Sequence, residues 1–110
     1  LKTLRLNFAE FVTDEGLIKL SKLKLNSVYF SCFTLVTSKG WIEFFLSPEI
    51  KDLRKLVLAC CKWVTDEVLR GIGTNCKELE KVCMPFCYGI TPSGFNHLIE
   101  NCKHIKHFNT

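Results

Sequence analysis

Seven cysteines and three histidines are the residues of this chain whose types suit metal or nucleophilic chemistry. The cysteines stand at positions 32, 60, 61, 76, 83, 87 and 102, and the histidines at 97, 104 and 107. Three arrangements use such residues: a zinc site, a cysteine nucleophile with its base, and a framework of disulfide bonds. Each of them makes a different demand on spacing.

The group Cys83-x-x-x-Cys87 with Cys102, His104 and His107 supplies the thiolates and imidazoles that zinc prefers. Its spacing differs from that of a standard zinc finger. A cysteine nucleophile needs a lowered pKa and an adjacent base, and no motif ties a histidine to a thiol. An odd number of cysteines without a secretory signal favours reduced thiols over a disulfide framework. We therefore expect no metal, no cofactor and no enzymatic activity.

The elements that position these cysteines recur along the chain. The pair Val64-Thr65 returns as Val12-Thr13, Val36-Thr37 and Ile90-Thr91, with the threonines 24, 28 and 26 residues apart. An apolar pattern L-x-x-L-x-L precedes each pair, and alternation of period two predicts a short strand with one buried face. The repeats span about 1–24, 25–52, 53–78 and 79–104, and a fifth begins at 105–110.

The segment after each threonine changes to helical spacing. A threonine hydroxyl is a good acceptor for a free amide of the first turn, so the four threonines are predicted helix N-caps. Apolar residues then follow at intervals of three and four and are predicted to face the core: Leu17 and Leu20; Trp41, Phe44 and Phe45; Leu69 and Ile72; Phe95, Leu98 and Ile99. Each unit is one strand and one helix, which must stack on its neighbours to bury its apolar face.

Four cysteines keep the same register in the third and fourth units. Cys61 and Cys87 each come three residues after the last apolar strand position, and Cys76 and Cys102 each come three before the next leucine or isoleucine. The resulting pattern, C-x-x-L-x-x-L-x-L-x-x-C-x-x-[IV]-T-D-x-x-L, resembles the cysteine-containing leucine-rich repeats of F-box/LRR proteins. The resemblance covers the whole chain and is closest in its last two units.

The resemblance implies an α/β fold: a leucine-rich-repeat solenoid of right-handed strand–helix repeats with a concave parallel sheet. It also implies that the cysteine after each strand is structural, with its thiol directed inward to cap the turn backbone. Cys61, Cys76, Cys87 and Cys102 are then small buried residues, and Cys60 occupies the same register position as Cys32.

Solenoids bind partners on the surface that their strands form. The side chains that alternate with the buried ones point to that surface. They are predicted to bind a partner and include Thr3, Arg5, Asn7, Ser27, Tyr29, Lys55, Val57, Lys81, Cys83 and His107. This set contains cations and no carboxylate, which favours an acidic or phosphorylated protein segment as the ligand.

The resemblance makes the expected function more specific. F-box/LRR proteins are substrate receptors of cullin-based ubiquitin ligases, in which the repeats hold the substrate and an F-box binds a Skp-type adaptor. The 110 residues contain no F-box pattern. We expect them to be a segment of a longer protein whose F-box lies elsewhere. The alternative is a leucine-rich-repeat scaffold, regulator or assembly factor without an F-box.

Composition excludes several other classes. Hydrophobic content of 47% with 24% charged residues is globular rather than disordered. A net charge of +4, spread along the chain, is too weak to argue for nucleic acid. The longest uncharged run, 82–99, contains Pro85 and Pro92 and does not predict a membrane span. Reduced thiols place the protein in the cytoplasm or nucleus.

Overall fold

The computed structural model describes residues 2–109, in which strands and helices alternate strictly along the chain. The elements are β1 (Thr3–Leu6), α1 (Asp14–Leu20), β2 (Ser27–Ser31), α2 (Ser38–Leu46), β3 (Lys55–Ala59), α3 (Asp66–Asn75), β4 (Lys81–Cys83), α4 (Pro92–Asn101) and β5 (His107–Asn109). A short 3-10 turn, Pro48–Ile50, follows α2. The predicted α/β alternation is therefore confirmed. Leu1, which begins the first predicted repeat, and Thr110, which ends the fifth, lie outside the described residues.

The strands form a single parallel sheet in the order β1-β2-β3-β4-β5. Residues of equivalent sequence position pair across it, so that Leu4, Val28, Leu56, Val82 and Phe108 lie side by side in one row. Each helix packs against the next helix along the chain. Because the order of strands in space is the order in sequence, every crossover joins nearest neighbours.

The core lies between the sheet and the layer of helices. The inward residues of the three central strands are buried, as are the aromatic residues Trp41, Phe44 and Phe45 of α2. In the outer strands the equivalent residues Leu4, Leu6 and Phe108 are only partly buried. An outer strand has a neighbour on one side only, and its apolar face is covered less completely.

Ile99 differs from its prediction as a core residue, because 48% of its surface is exposed. Its equivalent in α3 is Gly73, which lies against His97 and Asn101 of α4. The same side of α4 has no further helix beside it within residues 2–109. Helical spacing identified an apolar position correctly but did not show whether another element would cover it.

The four predicted N-cap threonines stand directly before the four helices, yet only one of them caps in the predicted way. The Thr13 hydroxyl accepts a hydrogen bond from the Gly16 amide at 3.3 Å. No side-chain cap is formed at the other three positions, which are Thr37, Thr65 and Thr91. The prediction of the cap position was right, and the predicted direction of the hydroxyl was wrong for these three.

Two of these hydroxyls donate to an aspartate of the preceding unit instead. Asp14, the first residue of α1, accepts from the Thr37 amide at 2.7 Å and from its hydroxyl at 2.6 Å. Asp66, the first residue of α3, accepts in the same way from Thr91 at 2.8 and 2.5 Å. Each carboxylate therefore ties the start of its own helix to the start of the following one.

A glycine makes room for each of these carboxylates. A Cβ atom on Gly94 would lie 2.7 Å from Cγ of Asp66, and one on Gly40 would lie 2.9 Å from Cβ of Asp14. At the equivalent position of α3 the residue is Val68, and the preceding helix starts with Ser38 rather than an aspartate. Glycine is thus present in α2 and α4, where an aspartate of the neighbouring unit occupies the space.

Substitution of Gly94 by alanine should destabilise the protein by about 1–3 kcal/mol, because the methyl group displaces the Asp66 carboxylate from Thr91. Urea unfolding followed by circular dichroism would measure the loss. Gly16→Ala is the matched control: its Cβ would meet the nearest atoms at an ordinary 3.8 Å. That variant should be neutral or stabilised by up to about 1 kcal/mol through helix propensity. An equal loss in both variants would contradict the explanation.

Candidate functional site

The candidate site is the face of the sheet that points away from the helices, which we call the open face. It is formed by the outward residues of β1–β5, and it holds Thr3, Arg5, Ser27, Tyr29, Lys55, Val57, Lys81, Cys83 and His107, with Asn7 just beyond the end of β1. These side chains are exposed or half-buried, and the residues between them are buried in the three central strands and half-buried in β1 and β5. The structure thus brings the ten residues predicted from the sequence to one side of the sheet.

One row across the open face is neutral in β1 and β2 and basic from β3 to β5. Its members in strand order are Thr3, Ser27, Lys55, Lys81 and His107, each paired with the next. Neighbouring strands are about 4.8 Å apart, so the two lysines lie directly side by side. Like charges opposite each other on adjacent strands are destabilising. An anion bound at this row would relieve that repulsion.

A second row carries the aromatic residue of the face. Arg5 pairs with Tyr29 across β1 and β2, and Cζ of its guanidinium lies 3.9 Å from the centre of the tyrosine ring. A cation over an aromatic face in this geometry is attracted by the ring. The contact orients both side chains, and it leaves the outer edge of the guanidinium able to bind a carboxylate or phosphate. Val57 and Cys83 continue the same row.

The third row begins with Asn7, whose side-chain oxygen accepts a hydrogen bond from the Ser31 hydroxyl at 3.2 Å. The hydroxyl is in turn 3.4 Å from the Phe8 amide, which donates to it. This short network fixes the end of β1 against the end of β2. The Asn7 side chain is therefore exposed on the open face and also holds β1 to β2 through its hydrogen bond with Ser31.

A shallow depression of about 620 Å³ lies at the β4–β5 end of the open face. It is lined by Lys81, Cys83, Lys106, His107, Phe108 and Asn109. Two lysines and a histidine surround it, and no carboxylate is among the lining residues. Its chemistry suits an acidic side chain or a phosphate group, both of which accept hydrogen bonds from ammonium and imidazole N–H donors.

Cys61 and Cys87, the two structural cysteines predicted on the C-terminal side of strands, are buried and bond to backbone carbonyl groups. The Cys87 thiol lies 3.3 Å from the carbonyl oxygen of Leu58 in the preceding unit. The Cys61 thiol lies 3.3 Å from the carbonyl oxygen of Ala59, which is two residues earlier and ends β3. Both thiols therefore donate weak hydrogen bonds to carbonyl groups at the end of β3.

The two cysteines that precede strands lie at the opposite ends of the helices. The Cys76 thiol is 3.7 Å from the carbonyl oxygens of both Phe45 and Ile50. The Cys102 thiol is 3.3 Å from the carbonyl oxygen of Cys76. Asn75 adds donors to the same region, at 2.8 Å from the carbonyl oxygens of Phe45 and Ser47. These side chains supply partners to carbonyl groups at the end of α2, in the following 3-10 turn and at the end of α3.

Burial holds these four thiols in the neutral form. It raises the pKa of Cys61 from an ordinary value of 9.0 to about 12. The same cause raises the pKa of Cys76, Cys87 and Cys102. The thiolate is the reactive form of cysteine. The four positions therefore disfavour nucleophilic and metal-binding chemistry at neutral pH.

Among residues 2–109, no hydrogen bond joins a histidine to one of these four thiols. His97 is within 3.4 Å of the Asn101 amide on α4, while His107 is on the open face. Across residues 2–109, no three side chains of histidine, cysteine, aspartate or glutamate come together as metal ligands would. A comparison with models of known protein families finds none that matches this chain. Within the same residues, none of the helices has the length and apolar character needed to cross a membrane.

The structure also shows a feature that the sequence analysis missed, at the loops between strands and helices. Four residues there have positive φ angles of 55–61° although none is glycine: Phe8, Cys32, Cys60 and Phe86. They occupy the same position in successive units, one to three residues after the end of each strand. Left-handed backbone is uncommon for such residues. The four residues are 24, 28 and 26 positions apart, which is the spacing of the four threonines. This shared spacing is the sequence signal for a common turn.

The same loops expose large apolar side chains. Phe11, Leu35 and Trp63 share one position in three successive units and are 79%, 53% and 42% exposed. Phe86 and Tyr88 are exposed in the fourth loop, with ring centres 6.3 Å apart. The partial exposure of Trp63 agrees with its position next to the turn. The loops thus form an apolar border along one edge of the open face.

Proposed function

We propose that this chain is a protein-binding module built as a leucine-rich-repeat solenoid of the cysteine-containing type, with the open face as its concave binding surface. The observation that carries the proposal is the uninterrupted row Lys55, Lys81 and His107, on a face whose outward strand residues within 2–109 include no carboxylate. Exposed like charges held side by side lower the stability of the fold. A role in binding anions explains why they are present on this face.

The chemistry of this face selects an acidic or phosphorylated segment of another protein. Arginine and tyrosine are among the residue types that contribute most to binding energy at interfaces, and Arg5 is already stacked on Tyr29. A pre-oriented guanidinium loses less freedom when it binds a carboxylate or phosphate in a bidentate manner. An extended peptide lying across the strands would contact this pair at one end and the lysines at the other.

The repeat pattern leads us to propose the substrate-recognition part of an F-box/LRR subunit of a cullin-based ubiquitin ligase. The support is the sequence pattern itself, together with the buried, carbonyl-bonded positions of Cys61, Cys76, Cys87 and Cys102. In this proposal the open face holds the protein substrate. A Skp-type adaptor and cullin would be joined through an F-box outside the 110 residues.

Co-purification of the full-length protein with a Skp-type adaptor and a cullin tests the ligase part of the proposal. We expect both to be recovered with the protein, and to be lost when the segment containing the F-box is deleted. A full-length reading frame without an F-box, and without adaptor binding, would contradict it. A leucine-rich-repeat scaffold without ligase activity would then be the better assignment.

Charge reversal on the open face tests the binding part separately. The double variant Lys55→Glu and Lys81→Glu should weaken binding to an acidic or phosphoserine peptide, chosen from a peptide array, by about 10- to 100-fold. Fluorescence anisotropy at two salt concentrations would measure the affinity, and the remaining binding should depend less on salt.

The matched control carries the same change of charge on other surfaces. Lys39 in α2 and Lys103 after α4 are both exposed and lie outside the open face. The double variant Lys39→Glu and Lys103→Glu should retain affinity within about twofold, because charges beyond a Debye length of about 10 Å are largely screened. Equal losses in the two double variants would show that net charge alone, rather than this face, binds the peptide.

A further inference from the structure

We propose that Cys32 and Cys60 form a redox modification site, at which their thiols join in a reversible disulfide bond with glutathione disulfide as the oxidant. The bond would connect the loops of two adjacent strand–helix units. The inference rests on the geometry of these loops and is independent of the proposed binding function.

The backbone holds the two residues side by side. Ser31 pairs with Ala59 at the ends of β2 and β3, and Cys32 and Cys60 follow them directly. The Cys32 amide extends the ladder by donating to the Ala59 carbonyl at 3.0 Å. Adjacent parallel strands place paired Cα atoms about 4.8 Å apart, inside the range of about 4.4–6.8 Å found for disulfides.

The two residues also share a backbone conformation that directs their side chains alike. Their φ angles are 58° for Cys32 and 56° for Cys60. Two equal conformations on neighbouring strands send their Cα–Cβ bonds in the same direction. The two Cβ atoms then lie about as far apart as the strands, about 4.8 Å, and a closing of a few tenths of an ångström brings them into the range of about 3.5–4.5 Å found in disulfides.

The environment of the thiols agrees with close contact. The pKa of Cys32 is raised, first by desolvation and next by the charge of the neighbouring Cys60. Cys60 is exposed and Cys32 is half-buried, whereas Cys61, Cys76 and Cys87 are buried. A reagent in solution thus reaches Cys60 first and finds a second thiol beside it.

The reaction proceeds by two thiol–disulfide exchanges. The Cys60 thiol loses its proton and attacks one sulfur of glutathione disulfide, which forms a mixed disulfide and releases one glutathione thiolate. The Cys32 thiol then loses its proton and attacks the sulfur of Cys60, and the second glutathione leaves. Together the two cysteines lose two protons and two electrons, and one glutathione disulfide becomes two molecules of glutathione.

The test incubates the folded chain with mixtures of glutathione and glutathione disulfide, and follows free thiols and the masses of peptides. We expect two thiols to disappear together, no glutathione to remain attached, and a cross-linked peptide containing Cys32 and Cys60. Addition of excess glutathione should restore both thiols. The cross-link should form in a first-order step, because the second thiol is already in position.

Single variants show whether the two thiols react with each other or independently. Cys32→Ser, with Cys32→Ala as a second form, should leave glutathione on Cys60 and release it more than about 100-fold more slowly than the unaltered protein. Cys83→Ser, which removes the half-buried thiol of the open face, should leave the cross-link unchanged. The proposal is overturned if the unaltered protein keeps glutathione on Cys60 as long as the Cys32 variants do. A cross-link between other cysteines would also overturn it.

Discussion

Replacement of Trp41 by alanine is expected to lower the free energy of unfolding by about 3–5 kcal/mol, the usual cost of removing a large buried aromatic side chain. Trp41 is fully buried and lies at the centre of a cluster of four phenylalanine rings. Its ring stacks on Phe45 with centres 6.0 Å apart and lies 5.4 Å from that of Phe33. The cavity would open between the sheet and the helix layer, among rings that all belong to the second unit.

Such a loss is a large part of the total stability of a small domain, which is about 5–15 kcal/mol. Urea unfolding would measure it by the shift of the midpoint at constant slope. Trp41→Phe should cost less than half as much. The indole Nε1 is buried without a hydrogen-bond partner among the described residues, so phenylalanine removes volume but no hydrogen bond.

Trp63→Ala is the matched control, because it makes the same substitution at an exposed position. Trp63 is 42% exposed, and its ring has the Lys62 ammonium 5.2 Å from its centre. Its loss should lower stability by no more than about 1 kcal/mol, because exposed cation–π contacts contribute about 0.5–1 kcal/mol. Similar effects at both tryptophans would show that the cluster around Trp41 is not the main core.

The second large effect is a loss of stability in alkaline solution. Burial raises the pKa of the Cys61 thiol to about 12 from 9.0, and it raises the pKa of Cys76 as well. Below pH 9 these thiols are protonated in both the folded and the unfolded chain, so their contribution to stability is constant. Between pH 9 and 12 the unfolded chain releases the Cys61 proton while the folded chain keeps it. Stability therefore falls as the pH rises through this range.

The size of the effect follows from proton linkage. Each such thiol lowers the free energy of unfolding by about 1.4 kcal/mol per pH unit, once the pH exceeds the pKa of the unfolded chain. Two of them acting together would remove about 3 kcal/mol for each unit. Urea unfolding at a series of pH values from 8 to 11 would measure the slope.

Alanine variants separate the thiols from the other groups that titrate in the same range. Cys61→Ala should be less stable than the unaltered protein at pH 8, and its dependence on pH should be shallower by about 1.4 kcal/mol per unit. Cys83→Ala is the control, because Cys83 is only half-buried on the open face. Parallel pH profiles for the unaltered protein and Cys61→Ala would contradict a buried neutral thiol.

The sequence by itself determined which residues form strands and which form helices. A period of two in segments such as Val28–Phe30 predicts a half-buried strand, and apolar spacing of three and four after Thr37 predicts a helix. These patterns are local, because the residues of a single segment determine which of its faces is apolar. They also predicted the ten residues of the open face, since alternation in a strand assigns every side chain to one side or the other. The solenoid and its partner stay predictions.

The tertiary structure alone decided which atoms of different units meet. Asp66 bonds to Thr91 of the next unit, Gly94 leaves space for that carboxylate, and Cys32 lies beside Cys60. The spacing of residues along the chain does not give distances across it, because those depend on how the units are stacked. For the same reason, spacing could not show that Ile99 would be left exposed while the equivalent Gly73 is covered.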